Sequence, residues 1–255
     1  MPCCGTRRTW HTHGHPVIDP LLFCAARITT YSGPLRLTDA SGFFYERAHR
    51  LFLVTSRHVF LDDAGGHRPD RIEFIVHTDA ADLTAWATLS VLLYRDGVSQ
   101  WREGVDSGGA VDVAAIELER DVLPASAVMH PFRPELCAAA DAALPPGAPV
   151  LVVGFPLSFF DTRHYLPVVR SGSIASAYGI RFQGQGYFLT DARTHRGTSG
   201  APVVMRNTAP GSAFPWTLLG VHSASFDMQT REDELDERLG LGCAWYAGIL
   251  DALTR

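Results

Sequence analysis

The chain has 255 residues, of which 46% are hydrophobic and 19% charged, and its formal net charge is −5. That is the composition of a folded globular protein, far from the charge-rich, apolar-poor range of disordered chains. With no run of Lys or Arg, the negative balance excludes a general attraction to nucleic acid or to an anionic membrane surface, and no apolar run approaches the roughly 20 residues of a membrane span.

The first stretch, residues 1–20 (MPCCGTRRTWHTHGHPVIDP), reads as a flexible tail. It carries arginines and histidines where a secretory signal needs an apolar stretch of about 7–15 residues, so a cytoplasmic location is expected. Cys3 and Cys4 with His11, His13 and His15 match no structural zinc spacing, and no metal is expected there. The five cysteines are an odd number without an export signal and read as free thiols.

From Phe23 onward the chain breaks into short β-rich runs separated by Gly, Pro, Asp and Asn, which predicts an all-β fold. In the first half the predicted strands are Phe23–Tyr31, Gly42–Glu46, Arg50–Thr55, Arg71–His77, Thr84–Tyr94 and Val111–Glu117. After the Ala- and Pro-rich stretch Ala138–Pro149 come Val150–Gly154, Val168–Ala177, Gly186–Thr190, Ala201–Met205, Thr217–Ser223 and Gly242–Tyr246. The expectation is two six-stranded antiparallel β-barrels, residues 21–130 and 140–255, forming one unit. The run Tyr246–Leu253 has apolar residues at helical spacing and predicts a short C-terminal helix packed on the second barrel.

Three segments carry candidate chemistry. Leu51-Phe-Leu-Val-Thr-Ser-Arg-His58 runs an apolar strand straight into a histidine, which taken alone reads as a half-buried, hydrogen-bonded side chain. Ala110-Val-Asp112-Val-Ala-Ala-Ile embeds an aspartate at the head of an apolar strand, where an unpaired carboxylate is costly; a turn aspartate is the plainer reading. Gly197-Thr-Ser199-Gly200-Ala-Pro forces a tight turn that exposes Ser199 Oγ and turns the N–H groups of Gly197 and Ser199 toward one point. An ordinary Gly-rich turn is the alternative.

Taken together, Thr-Ser-Arg-His58, Asp112-Val-Ala-Ala-Ile and Gly-Thr-Ser199-Gly-Ala-Pro resemble, in order, the three signature blocks of trypsin-like serine proteases. The spacings are 54 and 87 residues. The likeness runs from about Phe23 to Leu253 and includes Ser41-Gly-Phe-Phe-Tyr before the histidine strand. It implies the chymotrypsin fold with a cleft between its barrels, and a catalytic triad of His58, Asp112 and Ser199. It also implies an oxyanion hole of Gly197 and Ser199, a protein or peptide substrate, and no metal or organic cofactor.

The chain departs from the digestive branch of that family. Thr198 stands where the activating aspartate precedes the nucleophile, and no Ile-Val-Gly-Gly-like new terminus occurs, so activation by that ion pair is not expected. The likeness is closer to bacterial, glutamyl-specific and viral branches. A type with a PDZ domain after the protease is not expected, since about nine residues follow Tyr246. Thr194, His222 and Ser223 occupy positions that in the glutamyl branch bind substrate, which favours Glu, Gln or Asp before the cut. The alternative is that His222 packs beneath the pocket. The acidic run Asp227–Arg238 reads as a solvated loop. The expected function is a serine endopeptidase restrained by narrow specificity or by an activating protein partner, with a bacterial defence system as one setting. A silent binding scaffold and an esterase-like hydrolase are the alternatives.

Overall fold

The computed structural model describes residues 18–207, 214–223 and 240–255. The N-terminal cysteine and histidine run and the acidic segment Asp227–Arg238 therefore lie outside the described residues. The first half holds β1 (Ala25–Ser32), β2 (Leu35–Arg47), β3 (Arg50–Thr55), β4 (Arg71–His77), β5 (Trp86–Leu92), β6 (Tyr94–Arg95), β7 (Val98–Ser99), β8 (Trp101–Asp106) and β9 (Gly109–Leu118). All but β6 and β7 form one antiparallel sheet in the order β5-β4-β1-β2-β3-β9-β8, and β6 with β7 makes a separate ribbon.

This sheet has seven strands where the sequence reading expected six. The additional strand is β8, whose residues Trp-Arg-Glu-Gly-Val-Asp bury only Trp101 fully and carry no apolar run for a pattern search to find. The expected strand Thr84–Tyr94 is also shorter, because Asp96 and Gly97 adopt positive φ (53° and 77°) and turn the chain into the β6–β7 ribbon. Asp-Gly is the residue pair such a tight hairpin favours.

The second half holds β10 (Pro149–Gly154), β11 (Val168–Ser173), β12 (Tyr187–Thr190), β13 (Pro202–Arg206), β14 (Trp216–Ser223) and β15 (Gly242–Tyr246). They pair in the order β11-β10-β13-β14-β15-β12. A bridge from Ile174 to Thr190 and the Ala175 N–H bond to Leu189 O (2.8 Å) join the two outer strands, so this sheet closes on itself. The chain crosses between sheets from Phe132, bridged to Tyr45, to Cys137, bridged to Leu218.

Three apolar clusters explain why the central strands are apolar on both faces. Along β2, β3 and β9, Phe44, Leu51, Leu53, Ile116 and Leu118 fill the first barrel. Their neighbours Phe43, Tyr45, Phe52, Val54 and Val113 face the seam between barrels. The second barrel repeats the scheme, with Val152, Val203 and Leu219 inside and Val153, Val204 and Leu218 at the seam. A strand buried on both sides reads as a continuous apolar run rather than an alternation.

The C-terminal helix is present as the turn Ala247–Ile249 running into Leu250–Leu253. Its packing differs from the expectation of a helix on the second barrel. Leu250 and Leu253 join the seam cluster, and Arg47 and Arg102 of the first sheet bond the carbonyls of Asp251 and Leu253. The helix thus straps the second half to β8 and β9, because both its leucines point into the interface rather than into the barrel behind them.

Candidate active site

His58 sits on a one-turn helix, Arg57–Phe60, that follows β3 directly. Val59 and Phe60 plunge into the first-barrel core, which anchors the turn and leaves the His58 side chain 29% exposed at the rim. On the adjacent strand β9, Asp112 takes the inward-facing register between Val111 and Val113, at the point where the barrel opens. Its carboxylate grips the histidine twice. Oδ2 is 2.7 Å from His58 Nδ1, and Oδ1 accepts the His58 backbone N–H at 2.9 Å.

Burial alone would lower the His58 pKa, but the hydrogen bond and charge of Asp112, with a smaller contribution from Asp62, reverse it and hold it above the ordinary 6.5. Burial likewise pushes Asp112 up, and the His58 bond and charge, the Ser223 hydroxyl and the His58 N–H outweigh it, so the carboxyl lies below the usual range. An ionised Asp112 accepting at Oδ2 fixes the neutral imidazole as the Nδ1–H tautomer, with the Nε2 lone pair facing away.

Ser199 lies on the turn that leads into β13, and it shares with His58 an open cleft of about 810 Å³ between the barrels. Arg196, Gly197 and Thr194 also line it. No hydrogen bond joins Ser199 Oγ to the His58 ring among the described residues. The turn itself is held by its backbone. Arg196 O accepts from Leu157 N (2.6 Å), Thr198 O from Ala201 N (2.9 Å), and Gly200 N donates to His222 O (2.8 Å).

Among the described residues, the N–H groups of Gly197 and Ser199 donate to nothing in the protein. Each belongs to a trans peptide whose carbonyl is tied down, so each N–H points away from that tie. Gly197 has φ +88°, and a Cβ there would come within 2.7 Å of Phe155 O, which leaves glycine as the residue that fits. Thr198, in the place of the family's activating aspartate, is buried with its hydroxyl unpartnered.

Of the three residues expected on the substrate side, Thr194 lines the cleft. His222 and Ser223 do not line it. Ser223, although expected at substrate, donates from Oγ to Asp112 Oδ2 at 2.5 Å, because β14 carries it behind the carboxylate. His222 is fully buried, and burial together with the nearby His58 lowers its pKa to about 4. Neither ring nitrogen makes a well-formed hydrogen bond, though the Cys243 backbone is near enough to oppose the shift. His222 lies just behind Gly242, a cleft-lining residue: a Cβ on Gly242 would meet the imidazole at 2.7 Å.

Sequence reasoning missed how the first barrel reaches this turn. Ser41, on β2, was legible only as part of a resemblance, yet its N–H donates to Ser199 O (3.0 Å) and its hydroxyl to Gly197 O (2.7 Å). Asp39, also at the cleft, accepts from Arg27 and from Ser158 of the loop after β10. Nothing in local sequence signals contacts between residues more than 100 positions apart.

A family model described as the trypsin-like peptidase domain matches residues 40–209, two thirds of the chain. No curated protein matches. Among solved structures, a serine endoprotease from Yersinia pestis is similar at 16% identity and a TM-score of 0.52, over 91% of this chain. This chain spans 62% of that protein's length. The scabies mite inactivated protease paralogue S-I1 is similar at 17% identity and a TM-score of 0.56, over 94% of this chain and 99% of that one. At such identities the likeness establishes the fold, and a fold shared with an inactivated paralogue leaves activity to be argued from the site.

Proposed function

The chain belongs to the trypsin-like peptidase domain family, and from that premise we propose that it is a serine endopeptidase working through an acyl-enzyme. One observation carries the reading: a His58–Asp112 pair bonded at 2.7 Å shares a cleft with Ser199 and two unengaged N–H groups. Ser199 Oγ attacks the peptide carbonyl carbon while its proton passes to His58 Nε2. The carbonyl π-electrons move onto oxygen, and the resulting oxyanion accepts from the Gly197 and Ser199 N–H groups. The His58 proton then goes to the leaving amine as the C–N bond breaks. Water, deprotonated by His58, releases the acid product and restores Ser199. Asp112 holds the imidazole and stabilises its charged form throughout.

The wall behind the cleft supports a preference in substrate. His222 and Thr190 are fully buried with unpartnered polar atoms, and both flank Gly242. A carboxylate or amide reaching that wall supplies a missing partner, so Glu, Gln or Asp before the cut fits best. A carboxylate there raises the His222 pKa by giving its charged form a counter-ion. The absence of a Ser199–His58 bond favours a second reading, a latent enzyme that a protein partner completes, although such bonds are often long before substrate binds.

The test is labelling with a fluorophosphonate, beside Ser199→Ala and His58→Ala, with mass spectrometry of the modified peptide. Labelling at Ser199 that requires His58 is expected. A wild-type protein that stays unlabelled would sink the active-enzyme reading in favour of the latent one. A peptide set varied only at the residue before the cut separates acidic and Gln preference from the rest, and comparison with ester substrates separates an endopeptidase from an esterase.

A further inference from the structure

We infer that Ser41, a first-barrel residue, is a positioning residue that sets the two N–H groups of the Ser199 turn; this rests on the hydrolase reading above. Four consecutive peptide planes run from Arg196 to Gly200. In the first and third, the carbonyl is tied and the N–H, of Gly197 and Ser199, is unengaged. The second plane, Gly197–Thr198, is pinned at both ends: Gly197 O accepts from Ser41 Oγ at 2.7 Å and Thr198 N donates to His195 O at 3.1 Å. The fourth, Ser199–Gly200, is pinned likewise, with Ser199 O accepting from Ser41 N at 3.0 Å and Gly200 N donating to His222 O. Because peptide units are planar, holding the second and fourth planes leaves the donor planes little freedom to rotate.

Ser41 therefore supplies the cross-barrel pin on both planes, one from its backbone and one from its side chain. Its hydroxyl both donates and accepts. It donates to Gly197 O and accepts from Phe155 N at 2.9 Å, and the residue is fully buried. The surroundings are shaped around it. A Cβ on Gly154 would meet Ser41 Oγ at 2.6 Å, and one on Gly200 would collide with Ser41 O and the Thr55 side chain. Thr55 Oγ1 in turn donates to Ser41 O at 2.7 Å, which fixes the β2 backbone at this point. The result is a hydroxyl wedged between the loop after β10 and the nucleophile turn, hydrogen-bonded to neither His58 nor Asp112.

A residue acting this way affects stabilisation of the oxyanion and leaves the acid–base pair alone. The experiment compares wild type, Ser41→Ala and the near-isosteric Ser41→Cys, whose S–H is a weak donor. It reads the second-order rate of fluorophosphonate labelling across pH, and the affinity for phenylboronic acid, which forms a tetrahedral adduct on the serine. Removing an oxyanion donor outright costs about 100-fold to 1000-fold. Loosening both donors should slow labelling by Ser41→Ala about 10-fold to 100-fold and weaken boronate binding in parallel, with Ser41→Cys between the two. The pH midpoint, which reports His58, stays where it is in wild type.

Equal labelling of wild type and both variants overturns the inference, as does a shift of the midpoint, which would place the effect at His58. Should Ser41→Ala fail to fold, Ser41→Cys decides alone: an unchanged rate in folded protein overturns the proposal. A wild type that does not label at all removes the active-enzyme reading itself, and this inference with it.

Discussion

The two barrels build their halves of the cleft by different means. In the first, side chains do the fixing: Asp112 grips His58 at both its ring and its backbone, and Ser223 reaches across from β14 of the second barrel to bond Asp112. In the second, the Ser199 turn is held mainly by backbone hydrogen bonds, from Leu157, Ser41 and His222, and one side chain, the Ser41 hydroxyl, reaches it from the first barrel. The acid–base pair thus comes from one barrel, with a single brace from the other, while the nucleophile and its donors depend more heavily on how the barrels meet. A change that disturbs the seam should weaken the second half well before the first.

Asp112→Asn is the strongest way to test the first half. The amide can still accept the His58 backbone N–H, so the fold should survive, but it favours the wrong imidazole tautomer and supplies no charge. The expected loss is about 10⁴-fold in turnover of an activated ester. Gly197→Ala attacks the second half. Its positive φ and the nearby Phe155 carbonyl force the turn to shift, and displacing one donor should cost about 100-fold with no change in the His58 titration. A larger loss from Gly197→Ala than from Asp112→Asn would break the comparison.

The first half was also the more legible in sequence. Leu51-Phe-Leu-Val before His58 and Val-Asp112-Val are apolar on both faces because β3 and β9 lie between a barrel core and the seam. An acid or a histidine at the end of such a run has to find a partner. The Gly-Thr-Ser-Gly turn was legible for a different physical reason, since Gly197 and Gly200 adopt backbone angles that other residues avoid. What local pattern could not carry was contact at long range. Ser41 reaches Gly197 across 156 residues, and Ser223 turns to Asp112 rather than to the cleft. β8 escaped because its exposed, charged hairpin has no core-facing run beyond Trp101.

The pH dependence offers a finer probe of the same pair. Hydrolysis needs neutral His58, whose pKa is raised by Asp112, so the rate should climb about tenfold per pH unit and level off above pH 6.5. For stability the sign is separate. A raised His58 pKa favours the fold below the unfolded value of about 6.5, and the benefit fades as pH rises through the folded value. The lowered Asp112 pKa favours it above the usual carboxylate range and fades as pH falls through the folded value. A midpoint at or below 6.5 would show that the Asp112 bond is absent in solution.

The smallest effect expected is that of Ser223→Ala, and it discriminates most finely between the halves. The hydroxyl donates to the same Asp112 oxygen that faces His58 Nδ1. Deleting it removes one neutral-to-charged hydrogen bond, about 1.5–3 kcal/mol at most, part of which water replaces at a carboxylate that is 20% exposed. The loss in rate should therefore be only about tenfold. With one donor gone, the Asp112 charge is less shared and acts more fully on His58, so the midpoint should move up rather than down. Phenylboronic acid affinity measured well above that midpoint should hardly change, because the Gly197 and Ser199 donors are untouched. If boronate affinity falls along with the rate, the two halves are coupled through β14, which carries both Ser223 and the His222 carbonyl that holds Gly200.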